Sequence, residues 1–309
     1  MKSAPRRVLV TGGAGFVGSH LVDRLVAENH RITVLDDLSS GTKDNLPPQA
    51  RFVEGDVRDT TLVAHLIEDS DACYHLAAIA SVQKCREFWA DSHAVNLTAF
   101  VGLLETIARR KKGVIPVVYA SSAAVYGNVD VSPLHENLPL RPISTYGADK
   151  VGCELHAHAA GHASNIPTFG LRPFNIYGPR QNPLSPYSGV ISIFADRIKR
   201  GQSLTIYGDG KQTRDFIAIS DVIDHFIAAL DKAAPTAPLC NVATGKAVSV
   251  KDVAQKLAKI LGCEAKIAFA PARKGDITHS VADTAQARIT LGCTAGTAID
   301  DGLLFVQEL

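Results

Sequence analysis

Tyr146-Gly-Ala-Asp-Lys150 places a phenol and an ammonium four residues apart. On a helix, that spacing puts them on one face. A phenol is a weak base near neutrality, with an ordinary pKa of about 10. A lysine held close favours the phenolate, because opposite charge stabilises the ionised form. Such a pair can accept a proton from an alcohol. On its own the pattern is common on surface helices, so its meaning depends on what comes before it. Twenty-four residues upstream lies Ser121-Ser122-Ala-Ala-Val-Tyr-Gly127, directly after the β-rich run Val114-Ile-Pro-Val-Val-Tyr-Ala120. A lone serine after a strand is more often a turn former. In this context Ser122 reads as the group that holds the hydroxyl, Tyr146 as the base, and Lys150 as its tuner and ribose contact.

The elements that must position these groups begin at the N-terminus. Arg7-Val-Leu-Val-Thr11 reads as a strand and runs into Gly12-Gly-Ala-Gly15-Phe16-Val17-Gly18. A helical pattern follows through Leu21, Val22, Leu25 and Val26. Strand, glycine turn and helix in that order form the context of a dinucleotide fingerprint. Glycines permit the tight turn and let backbone N–H groups approach a pyrophosphate at the helix N-terminus. A second strand, Arg31-Ile-Thr-Val-Leu35, ends at Asp36, 18 residues after Gly18. A carboxylate there suits the adenosine ribose and repels a 2′-phosphate, so NAD is expected rather than NADP.

Strand–helix alternation continues. Arg51-Phe-Val-Glu54 leads to Asp56 and Val57, which suit an adenine edge; the plain alternative is a helix-capping aspartate. Ala72-Cys-Tyr-His-Leu76 leads to Ala77 and Ala78, whose small size lets the backbone lie against a cofactor. Residues 86–109 read as one long helix, and Tyr146 opens another, reaching about His162. Repeated units of this kind predict an α/β fold: a Rossmann-type doubly wound parallel sheet with ligands at the C-terminal strand ends. Residues 1–174 are assigned to that domain, with 213–236 returning to it. Residues 175–309 are assigned to a smaller C-terminal α/β substrate domain, which takes in a strand near Cys240.

Bulk composition narrows the function. The chain has 309 residues, is 46% hydrophobic and 20% charged, and carries a net charge of +1. That balance points to neither a nucleic-acid nor a membrane partner. Six cysteines without Cys-x-x-Cys or zinc-ligand spacing read as reduced thiols in a cytoplasmic protein, with no metal site. No apolar run has membrane length. The absence of a Walker A lysine argues against phosphoryl transfer.

Taken together, these motifs resemble the extended short-chain dehydrogenase/reductases, specifically the UDP-glucose/UDP-N-acetylglucosamine 4-epimerase family. The matching pieces are Thr11 to Gly18, Leu35-Asp-Asp-Leu-Ser-Ser-Gly41, His75-Leu-Ala-Ala78, Ser121 to Gly127 and Tyr146 to Lys150. They continue through Leu171-Arg-Pro-Phe-Asn-Ile-Tyr-Gly178, Gly208-Asp-Gly-Lys-Gln-Thr-Arg-Asp-Phe216 and Arg273-Lys-Gly-Asp276. The resemblance implies that Asp37, Ser39 and Gly41 join Asp36 at the cofactor. It implies that Asn175, Arg214 and Arg273 hold a nucleotide-sugar diphosphate, that Gly189 and Val190 belong to the substrate site, and that Asp276 contacts a ribose. The guanidinium fork suits a diphosphate. Ser81 and Val82 resemble a sugar-contact loop, and homodimerisation is a family implication.

Two departures sharpen the expectation. Related dehydratases carry an acidic pair after the serine or threonine, and related decarboxylases a glutamate; here Ala123-Ala124 can exchange no proton. Epimerases restricted to glucose and galactose place a bulky tyrosine where this chain has Ser280, which leaves room for an N-acetyl group. The expected reaction is inversion at C4 of a UDP-hexose or UDP-N-acetylhexosamine through a 4-keto sugar. The alternatives are a reductase, dehydratase or decarboxylase of the same fold, or a noncatalytic NAD-sensing protein.

Overall fold

The computed structural model describes residues 4–129, 131–183, 189–272 and 277–307. Its first six strands are β1 (Arg7–Thr11), β2 (Arg31–Asp36), β3 (Arg51–Glu54), β4 (Ala72–His75), β5 (Val117–Ala120) and β6 (Thr168–Pro173). Eight more strands follow: β7 (Asn175–Tyr177), β8 (Leu204–Tyr207), β9 (Thr213–Arg214), β10 (Phe216–Ala218), β11 (Leu239–Val242), β12 (Val248–Ser249), β13 (Ile267–Ala270) and β14 (His279–Ser280). The main sheet has seven strands in the order β11-β6-β5-β4-β1-β2-β3. Every pair in it is parallel. Strand order reverses between β1 and β4, and this is where a doubly wound sheet opens its ligand crevice.

The apolar pattern of the strands explains the two covered faces. Side chains alternate sides along a strand. Val8 and Val10 of β1 point into one core with Leu21, Leu25 and Phe226, whereas Leu9 between them joins Val63, Phe100 and Leu104 on the other side. The first face is covered by α1 (Phe16–Ala27) and the second by α2 (Thr60–Glu68). Asp59 fixes the start of α2 by accepting from the Thr61 and Leu62 amides, both at 3.0 Å.

Residues 86–109 depart from the expected single helix. They form the end of α3 (Val82–Glu87), α4 (Trp89–His93), a π-turn over Ala94–Thr98, and α5 (Ala99–Ala108). Asn96 lies in the π-turn, and its side chain accepts from the Ile79 amide at 2.7 Å and donates to the Ile79 carbonyl at 3.2 Å. The Cys153 thiol donates to the Asn96 carbonyl at 3.2 Å. These bonds reach 17 and 57 residues along the chain, beyond what helical periodicity records.

The tyrosine–lysine segment opens α6 (Thr145–Ser164), capped by Ser144, which accepts from the Gly147 amide at 3.0 Å. It ends at Asn165 in the left-handed conformation, φ 53°. Further helices are α7 (Val190–Lys199), α8 (Ile219–Leu230) and α9 (Val250–Ile260). α8 returns to the first core, contributing Phe226. β11, read from sequence as part of the smaller domain, instead pairs with β6 in the main sheet. The small sheets β10-β7, β12-β9-β14 and β13-β8, together with α7 and α9, build the rest around their own apolar core. Among the described residues no helix is long and apolar enough to cross a membrane.

Candidate active site

The glycine turn is shaped so that nothing larger fits at its two ends. Gly12 has φ +69°, and a Cβ there would lie 2.6 Å from the Ala77 amide nitrogen. A Cβ on Gly18 would lie 2.1 Å from the Gly12 carbonyl oxygen. The start of α1 therefore sits directly on the turn. Gly15 is the N-cap of α1 and supplies no side-chain cap, so backbone amides face outward.

Beside this turn is a cleft of about 700 Å³. Gly12, Gly15, Phe16, Val17 and Gly18 form its floor, and Leu76, Ala77 and Ala78 line it from the end of β4. Asp36, Asp37 and Ser39 border it at the end of β2, and Asp56 and Val57 after β3. The Asp36 carboxylate accepts from the Ala14 and Leu38 amides, each at 2.9 Å. Burial pushes its pKa up against those bonds. Arg58 wraps Asp56 through Nε at 2.9 Å and Nη2 at 2.5 Å, and that bond holds the carboxyl below its ordinary value. Gly41 lies behind the turn: a Cβ on it would meet the Ala14 carbonyl at 2.6 Å. Sequence spacing missed Arg58, Lys84, Phe88 and Asp91, which also line this cleft. The last three come from the segment that breaks into α3 and α4, and no local signal marks them.

The proton-transfer candidates gather at the end of β5. Lys150 is 4% exposed, and its Nζ donates to the Ala120 carbonyl at 2.8 Å. The same Nζ lies 5.8 Å from the centre of the Tyr146 ring. Ser122 caps a short turn over Ala123–Val125, its Oγ accepting from the Ala124 amide at 3.1 Å. Ser122 and Tyr146 are half-buried. None of the three lines the cofactor cleft, but β4 and β5 are paired neighbours, so Ser122 lies at the strand end next to Leu76–Ala78. Deeper in the sheet, His75 shares a 3.0 Å hydrogen bond with Thr11 Oγ1. Burial, reinforced by the Lys150 ammonium, pushes the His75 imidazole down to about 3.

A second cleft of about 950 Å³ adjoins the first; Phe16, Val17 and Ala80 line both. Asn175, Gly189, Val190 and Arg214 line it, as do Arg197, Thr205, Tyr207 and Gln212, which sequence reasoning did not single out. Gly189 caps α7 without a side-chain bond, so this helix start also presents amides. The Asn175 side chain donates to the Asp215 carbonyl at 3.1 Å, and Arg214 donates to the Ile277 carbonyl at 2.6 Å. Ser81 follows Ala80 but uses its hydroxyl to cap α3, accepting from the Lys84 amide at 3.0 Å; Val82 is 49% exposed. Ser280 is buried on β14, in register with Arg214 of β9. Arg273 and Asp276 lie outside the described residues. Among the described residues no group of three or more His, Cys, Asp or Glu side chains could hold a metal ion.

The cleft beside the glycine turn, the uncapped start of α1 and the Asp36 carboxylate at its border have the chemistry that a dinucleotide needs, and known proteins carry the comparison further. Residues 8–243 match the model of the NAD dependent epimerase/dehydratase family. The chain is 36% identical to the UDP-glucose 4-epimerase of Mycolicibacterium smegmatis, over 98% of this chain and 97% of the relative. Among solved structures it superposes on the UDP-N-acetylglucosamine 4-epimerase from Methanobrevibacter ruminantium in complex with UDP-N-acetylmuramic acid. That match has a TM-score of 0.93 at 31% identity, covering 99% of this chain and 98% of the other. It also superposes on the UDP-glucose 4-epimerase of Thermus thermophilus in complex with NAD, with a TM-score of 0.90 at 33% identity and 98% of both chains covered. A match sustained at that identity over nearly the full length makes the chain an enzyme of the NAD dependent epimerase/dehydratase family, and NAD is its cofactor.

Proposed function

We propose that this enzyme inverts C4 of a UDP-hexose or UDP-N-acetylhexosamine through a 4-keto sugar. The observation that carries this reading is the turn after Ser122. There Ala123 and Ala124 carry only methyl groups, and the Ala124 carbonyl packs against Gly147, the residue after Tyr146. Eliminating water or carbon dioxide needs further proton donors or acceptors at the sugar, and this turn supplies none. Oxidation and re-reduction at one carbon need only one acid–base group.

Bound NAD supplies the hydride acceptor and donor at C4. Tyr146 takes the hydroxyl proton and later returns it. The hydrogen bond to the Ala120 carbonyl tethers the Lys150 Nζ beside the phenol ring. The Ser122 oxygen already accepts from the Ala124 amide, so its hydroxyl hydrogen is available to the sugar oxygen. Arg214 and the start of α7 favour a diphosphate, by guanidinium geometry and by the partial positive charge of a helix N-terminus. A sugar tethered only through that diphosphate can turn and present its other face.

The nucleotide-sugar specificity is supported by the relatives that act on UDP-glucose and UDP-N-acetylglucosamine, and by a serine at 280 beside Arg214. Pairing of two copies belongs to this reading, and Trp89 on α4 and Leu155 on α6, 63% and 65% exposed, are large apolar side chains that such a contact would cover. Six unpaired cysteines suit the cytoplasm.

The test is NMR analysis of products from UDP-galactose and UDP-N-acetylglucosamine. Equal mass with inverted C4 supports the proposal; loss of water or carbon dioxide replaces it with a dehydratase or decarboxylase. Tyr146→Phe should retain NAD and lose about 10²–10⁴-fold in turnover. Near wild-type turnover in that variant would remove Tyr146 as the base.

A further inference from the structure

A buried polar chain runs behind the proton-transfer groups. Ser121, next to Ser122, donates from Oγ to Glu154 Oε1 at 2.5 Å. Glu154 sits one helical turn after Lys150 on α6. Arg172 of β6 grips the same carboxylate with both arms of its guanidinium, Nε at 2.8 Å and Nη2 at 2.7 Å. Its remaining Nη1 donates to the Tyr126 hydroxyl at 2.9 Å and to the Glu136 carbonyl at 3.1 Å. The Tyr126 hydroxyl donates in turn to Asn241 Oδ1 of β11 at 2.6 Å. Ser121, Glu154, Arg172, Tyr126 and Asn241 are all at most 7% exposed.

The position of this chain is more informative than its strength. The Ala120 carbonyl takes the Lys150 ammonium, and the next residue's hydroxyl takes Glu154. The end of β5 is thus fastened to α6 at two points, one residue apart on the strand and one turn apart on the helix. A single attachment would let helix and strand end pivot; two fix their angle. Ser122 leaves from the strand side of this joint, and Tyr146 from the helix side. Arg172 carries the joint across to β6, three residues before Asn175, which lines the second cleft.

We infer that Ser121, Glu154 and Arg172 are positioning residues that set Ser122 against the Tyr146–Lys150 pair and tie that geometry to the nucleotide-sugar cleft. The inference rests on the epimerase reading above. Ordered hydroxyl and charge partners of this kind matter for rate because small misplacements of a proton acceptor are costly.

Ser121→Ala is the informative variant, because it removes one attachment while leaving the Glu154–Arg172 ion pair intact. Turnover should fall about tenfold, the loss expected of one buried hydrogen bond expressed as rate. KM for the UDP-sugar, UDP affinity by calorimetry and retention of NAD should stay within twofold. Ser121→Thr, which keeps the hydroxyl, should recover most of the turnover. Arg172→Lys keeps the charge but loses the two-armed grip, and should lower turnover and raise KM together, because β6 leads to Asn175. A Ser121→Ala enzyme with wild-type turnover overturns the inference. So does one whose UDP affinity, NAD retention and melting temperature decline in step with activity, or one that Ser121→Thr fails to rescue. Wild-type protein that interconverts no UDP-sugar sinks the functional reading instead, and that outcome is seen before any variant is compared.

Discussion

Two glycines three residues apart in one turn should respond to alanine differently, one in stability and the other in cofactor binding. At Gly12 the backbone has φ +69°, where a side chain costs about 1–2 kcal/mol. A Cβ there would also lie 2.6 Å from the Ala77 nitrogen, 2.8 Å from the Ala77 Cα and 2.8 Å from the Leu76 carbonyl carbon. These are backbone atoms at the end of β4 and cannot swing aside, so overpacking adds about 1–3 kcal/mol. Gly12→Ala should therefore lose about 2–5 kcal/mol of stability even without cofactor. Gly15 has φ −75° and ψ −179°, which any residue adopts, and its nearest obstacle is the Gly12 carbonyl oxygen at 3.3 Å. Gly15→Ala should cost about 1 kcal/mol or less in the NAD-free protein. It lines the cofactor cleft, so its penalty should appear in binding. Saturating NAD stabilises a competent protein by about 2.7 kcal/mol at a hundred times Kd, and Gly15→Ala should forfeit much of that gain. Urea unfolding of NAD-stripped protein, repeated across an NAD titration, separates the two effects. Gly12→Ala unfolding at the wild-type urea concentration without NAD, or Gly15→Ala losing more than Gly12→Ala there, would refute this account of the turn.

Other residues lend themselves to direct measurement. Unfolded His75 binds a proton near its ordinary value of about 6.5, whereas the buried imidazole waits until about 3. The unfolded state thus holds the extra proton between those values, so stability should fall as pH drops through that window, by up to about 1.4 kcal/mol per pH unit. His75→Asn, which can still meet Thr11, should flatten the slope by about one proton in urea titrations from about pH 6.5 to about pH 4; an unchanged slope would show that His75 does not carry it. Asp36→Ser leaves one uncharged oxygen where two carboxylate oxygens take the Ala14 and Leu38 amides, and should weaken NAD on the order of tenfold while narrowing its preference over NADP, read by fluorescence titration. Arg172→Met leaves Glu154 as an unpaired buried charge and should cost about 3–5 kcal/mol, whereas the double change of Glu154 and Arg172 to Met should cost less than the single one; a larger loss in the double variant would mean the ion pair itself is strongly stabilising.

Much of this molecule is legible in its sequence because the governing physics is local. Alternating valines and leucines in β1, the glycines that follow and the acid ending β2 each constrain neighbours within a few residues. Tyr146 and Lys150 share a helix face whatever surrounds them. What the tertiary structure alone decided depends on partners far apart in the chain. Residues 86–109 have the periodicity of one helix, yet Asn96 turns back to both polar groups of the Ile79 backbone and Cys153 satisfies the Asn96 carbonyl, so the segment breaks at a π-turn. Lys84, Phe88 and Asp91, from α3, α4 and the residue between them, line the cofactor cleft. β11 looks like any short strand until its pairing with β6 places it in the main sheet. Lys150 finds the Ala120 carbonyl thirty residues back, and Ser121 finds Glu154 across thirty-three. Periodicity and turn chemistry reveal what each segment can become; which buried donor meets which acceptor is settled only when the layers close and water leaves, since each unpaired group would then be costly.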